Sequence, residues 1–186
     1  YPINKYHLWM KKFKIKHETI VEYKNRSIFT PSFIDKILLN NIKLINFFKQ
    51  INVQIHKPHM EYNGYLSFRL IRPNKNDGFP HHKKVWGEKK NLISLWIPIV
   101  GKDKKHTLSL VPKSHKKEYN FYYPKNSKFR DRDGRLNKKD EKNLKLFNPS
   151  LKDIDIILYS SNTLHSEMNI NSSNTRFNLE LRFETL

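Results

Sequence analysis

The sequence has 186 residues, enough for one domain with a real hydrophobic core. Lys and Arg total 36 against 17 Asp and Glu, a formal net charge of +19. There is no Cys, which excludes a disulfide framework, a thiolate zinc site and a Cys nucleophile. The charge comes with a skewed composition: 28 Lys, 20 Asn, 18 Ile and no Ala. Lys outnumbers Arg 28 to 8, and it is Arg that forms planar forks with phosphate. The net charge therefore admits nucleic acid as a partner but does not favour it. No apolar run approaches the roughly 18 residues of a membrane span, and no signal peptide is visible. A soluble cytoplasmic domain with no membrane contact is expected.

Residues 1–29 are basic and aromatic, without a clear period. Thr30-Pro31-Ser32 is a helix-start signal, with Thr30 as cap and Pro31 tolerated in the first turn. Phe33, Ile34, Ile37, Leu38, Leu39, Ile42, Ile45 and Phe48 then recur at helical spacing and predict one helix over 31–50. Short strands follow. They are predicted over 65–71, over the nearly continuous apolar run 91–100, over 107–111 and over 153–159. The last strand is the cleanest, with Phe177, Leu179, Leu181 and Phe183 on one face. The expectation is a single domain, mainly β with helical cover, in the manner of a sandwich or barrel. Residues 1–60 form an N-terminal helical and extended layer, and 61–186 form the β core. A basic insertion at 113–150 interrupts that core, with 12 Lys and Arg between Lys113 and Lys145. A stretch of this kind is either a solvated insertion or a functional lid.

The opposite face of the last strand carries Arg176, Asn178, Glu180 and Arg182. Alternation alone does not say whether this face meets water or lines a polar cavity. Three features bear on the choice. Paired histidines, His81 and His82, precede the apolar strand 91–100. His165 follows the strand 153–159. Arg176 lies 11 positions after His165, at the start of the next strand. Two imidazoles on separate strands suit a non-haem Fe(II) site, which one carboxylate usually completes. A guanidinium one ligand length away would hold the far carboxylate of a 2-oxo acid.

In order and spacing, the segment from Arg69 to Phe183 resembles the phytanoyl-CoA dioxygenase family of Fe(II)/2-oxoglutarate oxygenases. The residues that carry the resemblance are His82-Lys83-Lys84, Ser94 to Ile99, Val111-Pro112-Lys113-Ser114-His115, Lys152-Asp153, His165 and Arg176. The resemblance implies a double-stranded β-helix, a distorted jelly roll of cupin-like type. It implies Fe(II) on His82 and His165, with 2-oxoglutarate as co-substrate tethered by Arg176. Trp96, in the core strand, corresponds to a family position near the co-substrate, besides its packing role. His81 is read as a neighbour and His115 as a turn residue. The implied substrate is a small, anionic metabolite or sugar derivative.

The sequence departs from the family at one position. Lys84 stands where the carboxylate ligand is expected, and an ammonium does not ligate a metal. Three explanations remain open. The site has lost its metal; Asp77 or Glu88 supplies the carboxylate; or iron is held by the two histidines and 2-oxoglutarate alone. A metal-free binding module is the non-enzymatic rival. A second rival comes from Arg176-Phe177-Asn178-Leu179-Glu180-Leu181-Arg182, which resembles the terminal strand of the nucleic-acid demethylase branch of the same superfamily.

Overall fold

The computed structural model describes residues 2–16, 40–59, 66–74, 91–103, 107–122, 135–152, 155–166 and 172–186. A 3-10 turn at Ile3–Lys5 leads into helix α1, Tyr6–Phe13. This helix was not anticipated from the sequence. It buries only Tyr6 and Met10, one turn apart, and Lys14 in the left-handed region ends it. Helix α2 spans Ile42–Gln50. Its start corrects the expected single helix over 31–50: the chain is extended at Asn41, and the helix begins afresh there. The Asn41 side chain accepts from the N–H groups of Lys43 and Leu44 at 3.1 and 3.3 Å. This satisfies donors that a helix start otherwise leaves bare. Residues 31–39 lie outside the described ones.

The major sheet is antiparallel. Its strands are β1 (Ile55–Pro58), β2 (Leu66–Ile71), β3 (Leu92–Val100), β7 (Ile157–Ser160) and β9 (Arg176–Thr185). β9 is the hub. β3 pairs along one of its edges, β1 and β2 share the other in succession, and β7 lies beyond β3. The minor elements are β4 (Ser109–Leu110) paired with β8 (His165–Ser166), and β5 (Phe121–Tyr122) paired with β6 (Arg135–Leu136). The predicted strands thus appear, shortened at 107–111 and moved to 157–160 for the expected 153–159.

Register sorts the side chains of the major sheet into two faces. On the outer face Leu95 lies opposite Leu181, and Ile93 opposite Phe183. Leu95, Leu181 and Phe183 bury against Phe48 of α2, with Leu44, Val53 and Leu158 around them. α1 covers the other end of that face, where Tyr6, Met10 and Trp9 pack on Leu70 and Phe177. On the inner face Trp96, Ile157 and Tyr159 pack against Leu108 and Leu110, which lead into and form part of β4. The two β layers therefore enclose an interior, and helices close the outside of one of them. Among the described residues, no helix is long and apolar enough to cross a membrane.

The basic segment 113–150 holds structure of its own. Beyond β5 and β6 it contains a 3-10 turn at Ser114–Lys116 and helix α3 at Lys138–Lys142. Leu136 buries with Val111 and Leu164, and Tyr119, Phe121 and Leu144 pack around them. These scattered apolar residues tie the segment to the core. His115 lies exposed on the 3-10 turn, as a turn residue.

Gly101 ends β3 with φ +75°, and a Cβ there would fall 2.0 Å from the Thr175 carbonyl oxygen. Gly101→Ala is expected to destabilise by more than about 1 kcal/mol, since neither the backbone nor the space suits it. Phe183→Ala, at a site with no solvent exposure, is expected to cost about 3–5 kcal/mol. Urea denaturation midpoints at constant m-value check both.

Candidate functional site

The polar stripe of β9 faces the interior. Arg176 and Asn178 have 0% exposure, and Glu180 and Arg182 have 3%. This decides what alternation alone left open: the stripe is buried and does not meet water. Residues opposite the stripe share its face: Ser94 faces Arg182, Trp96 faces Glu180, and on the other edge Arg69 faces Asn178.

Buried charge needs partners. Glu180 meets Arg182 Nη2 at 2.9 Å, and Arg69 Nε lies 3.9 Å away. The Tyr159 hydroxyl donates to the second Glu180 oxygen at 2.5 Å. Burial pushes the Arg182 guanidinium down to about 9, which still leaves it charged at neutral pH. The pair is structural in consequence. Removing one member of such a buried pair typically costs about 3–5 kcal/mol, because the other charge is left in a low dielectric.

Arg176 sits at the far end of the stripe. Its Nε donates to Asn178 Oδ1 at 3.2 Å, and its guanidinium carbon lies 5.1 Å from the Trp96 ring centroid. Stacking on an indole fixes the guanidinium plane, as planar recognition of a carboxylate requires. Two further N–H donors, Trp96 Nε1 and Asn178 Nδ2, are buried here without a hydrogen-bond partner among the described residues. A buried donor left this way costs free energy unless a ligand or water meets it.

His165 enters from the second layer, on β8. Thr163 and Leu164 lead into it, and Ser114 Oγ holds the Leu164 N–H at 2.7 Å. The ring is buried and stands edge-on to Tyr159, with centroids 4.9 Å apart. Its Nδ1 lies 2.8 Å from the Thr163 carbonyl oxygen. A carbonyl only accepts, so Nδ1 carries a proton. A backbone partner at Nδ1 is the usual device that orients an imidazole which binds a metal through Nε2.

Tyr159 joins the two halves. It touches His165, bonds Glu180 and packs in one cluster with Trp96, on which Arg176 lies. Three of the predicted site residues, His165, Trp96 and Arg176, are thus brought to one interior. His82 and Lys84 lie outside the described residues, as do His81, Asp77 and Glu88. Among the described residues no group of three or more His, Asp or Glu side chains forms a metal cage. His165 and Arg176 are the described members of the expected iron and co-substrate site, a buried imidazole and a buried guanidinium. Sequence reasoning did not single out Tyr159 or Thr163. Tyr159 closes an apolar run and looks like core, and the Thr163 carbonyl leaves no trace in residue identity.

No family model matches the chain, and no curated protein does. Solved structures do. EvdO2 from Micromonospora carbonacea var. aurantiaca, complexed with 2-oxoglutarate, matches with a TM-score of 0.54 at 14% identity. The match covers 83% of this chain and 64% of that one, so this chain spans less than two thirds of its length. Another structure of EvdO2 gives 0.55 at 13% identity, covering 96% of this chain and 80% of that chain. EvdMO1 gives 0.52 at 13%, covering 97% and 42%. At such identities the likeness is one of architecture: the chain shares a β-rich fold with these proteins, one of which was crystallised with 2-oxoglutarate.

Proposed function

We propose that the chain is an Fe(II)/2-oxoglutarate-dependent oxygenase of the double-stranded β-helix type, acting on a small anionic molecule. The observation that carries this is a buried Arg176 over Trp96 in the same interior as a buried His165 whose Nδ1 is committed to the Thr163 carbonyl. The EvdO2 complex adds that this fold accommodates 2-oxoglutarate in another protein.

In this reading His165 and His82 hold iron, and Arg176 holds the far carboxylate of 2-oxoglutarate. Bound iron with 2-oxoglutarate and O₂ supplies the oxidising chemistry. The chain supplies the surroundings. Thr163 and Tyr159 hold the His165 ring in place. Trp96 and Asn178 orient the Arg176 guanidinium and have N–H groups to offer the same carboxylate. The apolar walls of Leu108, Ile157 and Leu110 keep water from the interior. The substrate's anionic character rests on the basic segment 113–152, which holds 13 Lys and Arg against 5 Asp and Glu.

Lys84 gives the metal-free reading its support, and the two are separable. Protein prepared under nitrogen with Fe(II) and 2-oxoglutarate, then desalted, is expected to retain iron. His165→Ala is expected to lose it. Arg176→Gln is expected to weaken 2-oxoglutarate binding about 10- to 100-fold by calorimetry, the loss of a charged hydrogen bond. Retention of 2-oxoglutarate without iron would instead identify a binding module. Lys84→Asp is expected to tighten iron retention, and no gain there would sink the assignment of position 84 to the metal. Succinate release coupled to O₂ uptake reports turnover.

A further inference from the structure

Arg176 is the first residue of β9, and strand ends fray unless tied. The tie comes from the other end of the sequence. The Asn4 carbonyl accepts from the Thr175 N–H at 2.8 Å. Lys5 Nζ donates to Asn174 Oδ1 at 2.8 Å. The His7 N–H donates to Thr175 Oγ1 at 3.3 Å, and His7 Nδ1 lies 2.9 Å from the same oxygen. One residue further on, Phe177 packs on Tyr6, Met10 and Trp9 of α1. Thr175 and Phe177 thus point to the N-terminal segment, and Arg176 between them points inward. Gly101 closes the opposite side, against the Thr175 carbonyl. Thr175 has 0% exposure, so its hydroxyl has no water to fall back on.

The Thr175 oxygen accepts from the His7 N–H and shares a second hydrogen bond with His7 Nδ1, whose donor is set by the ring tautomer. Burial, and then the Lys5 ammonium, hold His7 below its ordinary value, which keeps the ring neutral at neutral pH.

We propose that the segment from Asn4 to Phe13 is a strap that positions Arg176, with the hydrogen bonds between His7 and Thr175 as its clasp. His7 and Thr175 are positioning residues: they touch neither iron nor co-substrate and act through the backbone of β9. The link to 2-oxoglutarate rests on the function proposed above, whereas the link to Arg176 does not.

The test uses the full chain labelled with ¹⁵N-arginine. The Nε–H signal of Arg176 is identified by its loss in Arg176→Gln. Thr175→Val keeps the shape of the side chain and removes the hydroxyl. It is expected to shift or broaden that signal and to weaken 2-oxoglutarate about tenfold, one hydrogen bond's worth. Thr175→Ser is expected to restore both, with affinity within about twofold of the parent. His7→Ala keeps the Thr175 hydroxyl and is expected to move the signal in the same way. It carries the test if the valine variant does not fold. An unmoved Arg176 signal in His7→Ala and Thr175→Val overturns the strap, as does a serine variant as disturbed as the valine one. A parent protein that binds no 2-oxoglutarate overturns the proposed function only, and the arginine signal still decides the strap.

Discussion

The pairing of Glu180 with Arg182 at 2.9 Å is what allows β9 to be buried on both faces. A strand in the middle of a sheet has one apolar face at no cost. Its second face, if it carries charge, enters the interior only when that charge is compensated. Glu180 does this for its neighbours, and Tyr159 completes its coordination from β7. With the stripe neutralised at this end, the sheet can accept a second layer over it. The space between the layers then becomes an enclosed polar chamber, and Arg176 sits in it at the end away from the ion pair.

At one end of the chamber Glu180 meets Arg182 and the Tyr159 hydroxyl. Towards the other, two buried N–H groups on Trp96 and Asn178 make no hydrogen bond among the described residues, near a guanidinium held over an indole. A ligand with oxygen atoms would meet those two donors. His165 is fixed by a backbone carbonyl rather than a long side chain, so its orientation follows from the strand that carries it.

Much of this was legible in the residues, for a definite reason. β9 announces itself through a period of two, and the positions of His165 and Arg176 follow from strands that the apolar runs at 91–100 and 153–159 reveal. What was not legible is equally physical. Alternation has no sign, so the stripe 176–182 looked the same whether wet or buried until register put Trp96 across from Glu180, with Tyr159 bonded to the same carboxylate. The helix start at Asn41 was hidden because the apolar period runs on through it, while a capping side chain overrides the pattern locally. α1 was missed because a helix lying on a surface needs only two anchors, and Tyr6 and Met10 in a basic, aromatic stretch do not make a period. The expected ligand His82 and the substituted position Lys84 belong to a segment outside the described residues.

β9 has one more consequence, and it concerns the order of events during synthesis. The strand that holds β1, β2 and β3 together is residues 176–185, the last to be made of all the strands in the sheet. Until it emerges, β1 and β2 have no partner among the described strands, and β3 has only β7. Helix α2 lacks Leu181 and Phe183 to pack against. Sheets that depend on such distant pairings form slowly, because the chain closes its longest loops before it gains the contacts. From its own synthesis until β9 follows, the nascent chain therefore carries the apolar strand NLISLWIPIV without its longest partner. Its abundant lysines then take on a role apart from any ligand: like charge keeps incomplete chains from meeting one another before the closing strand arrives.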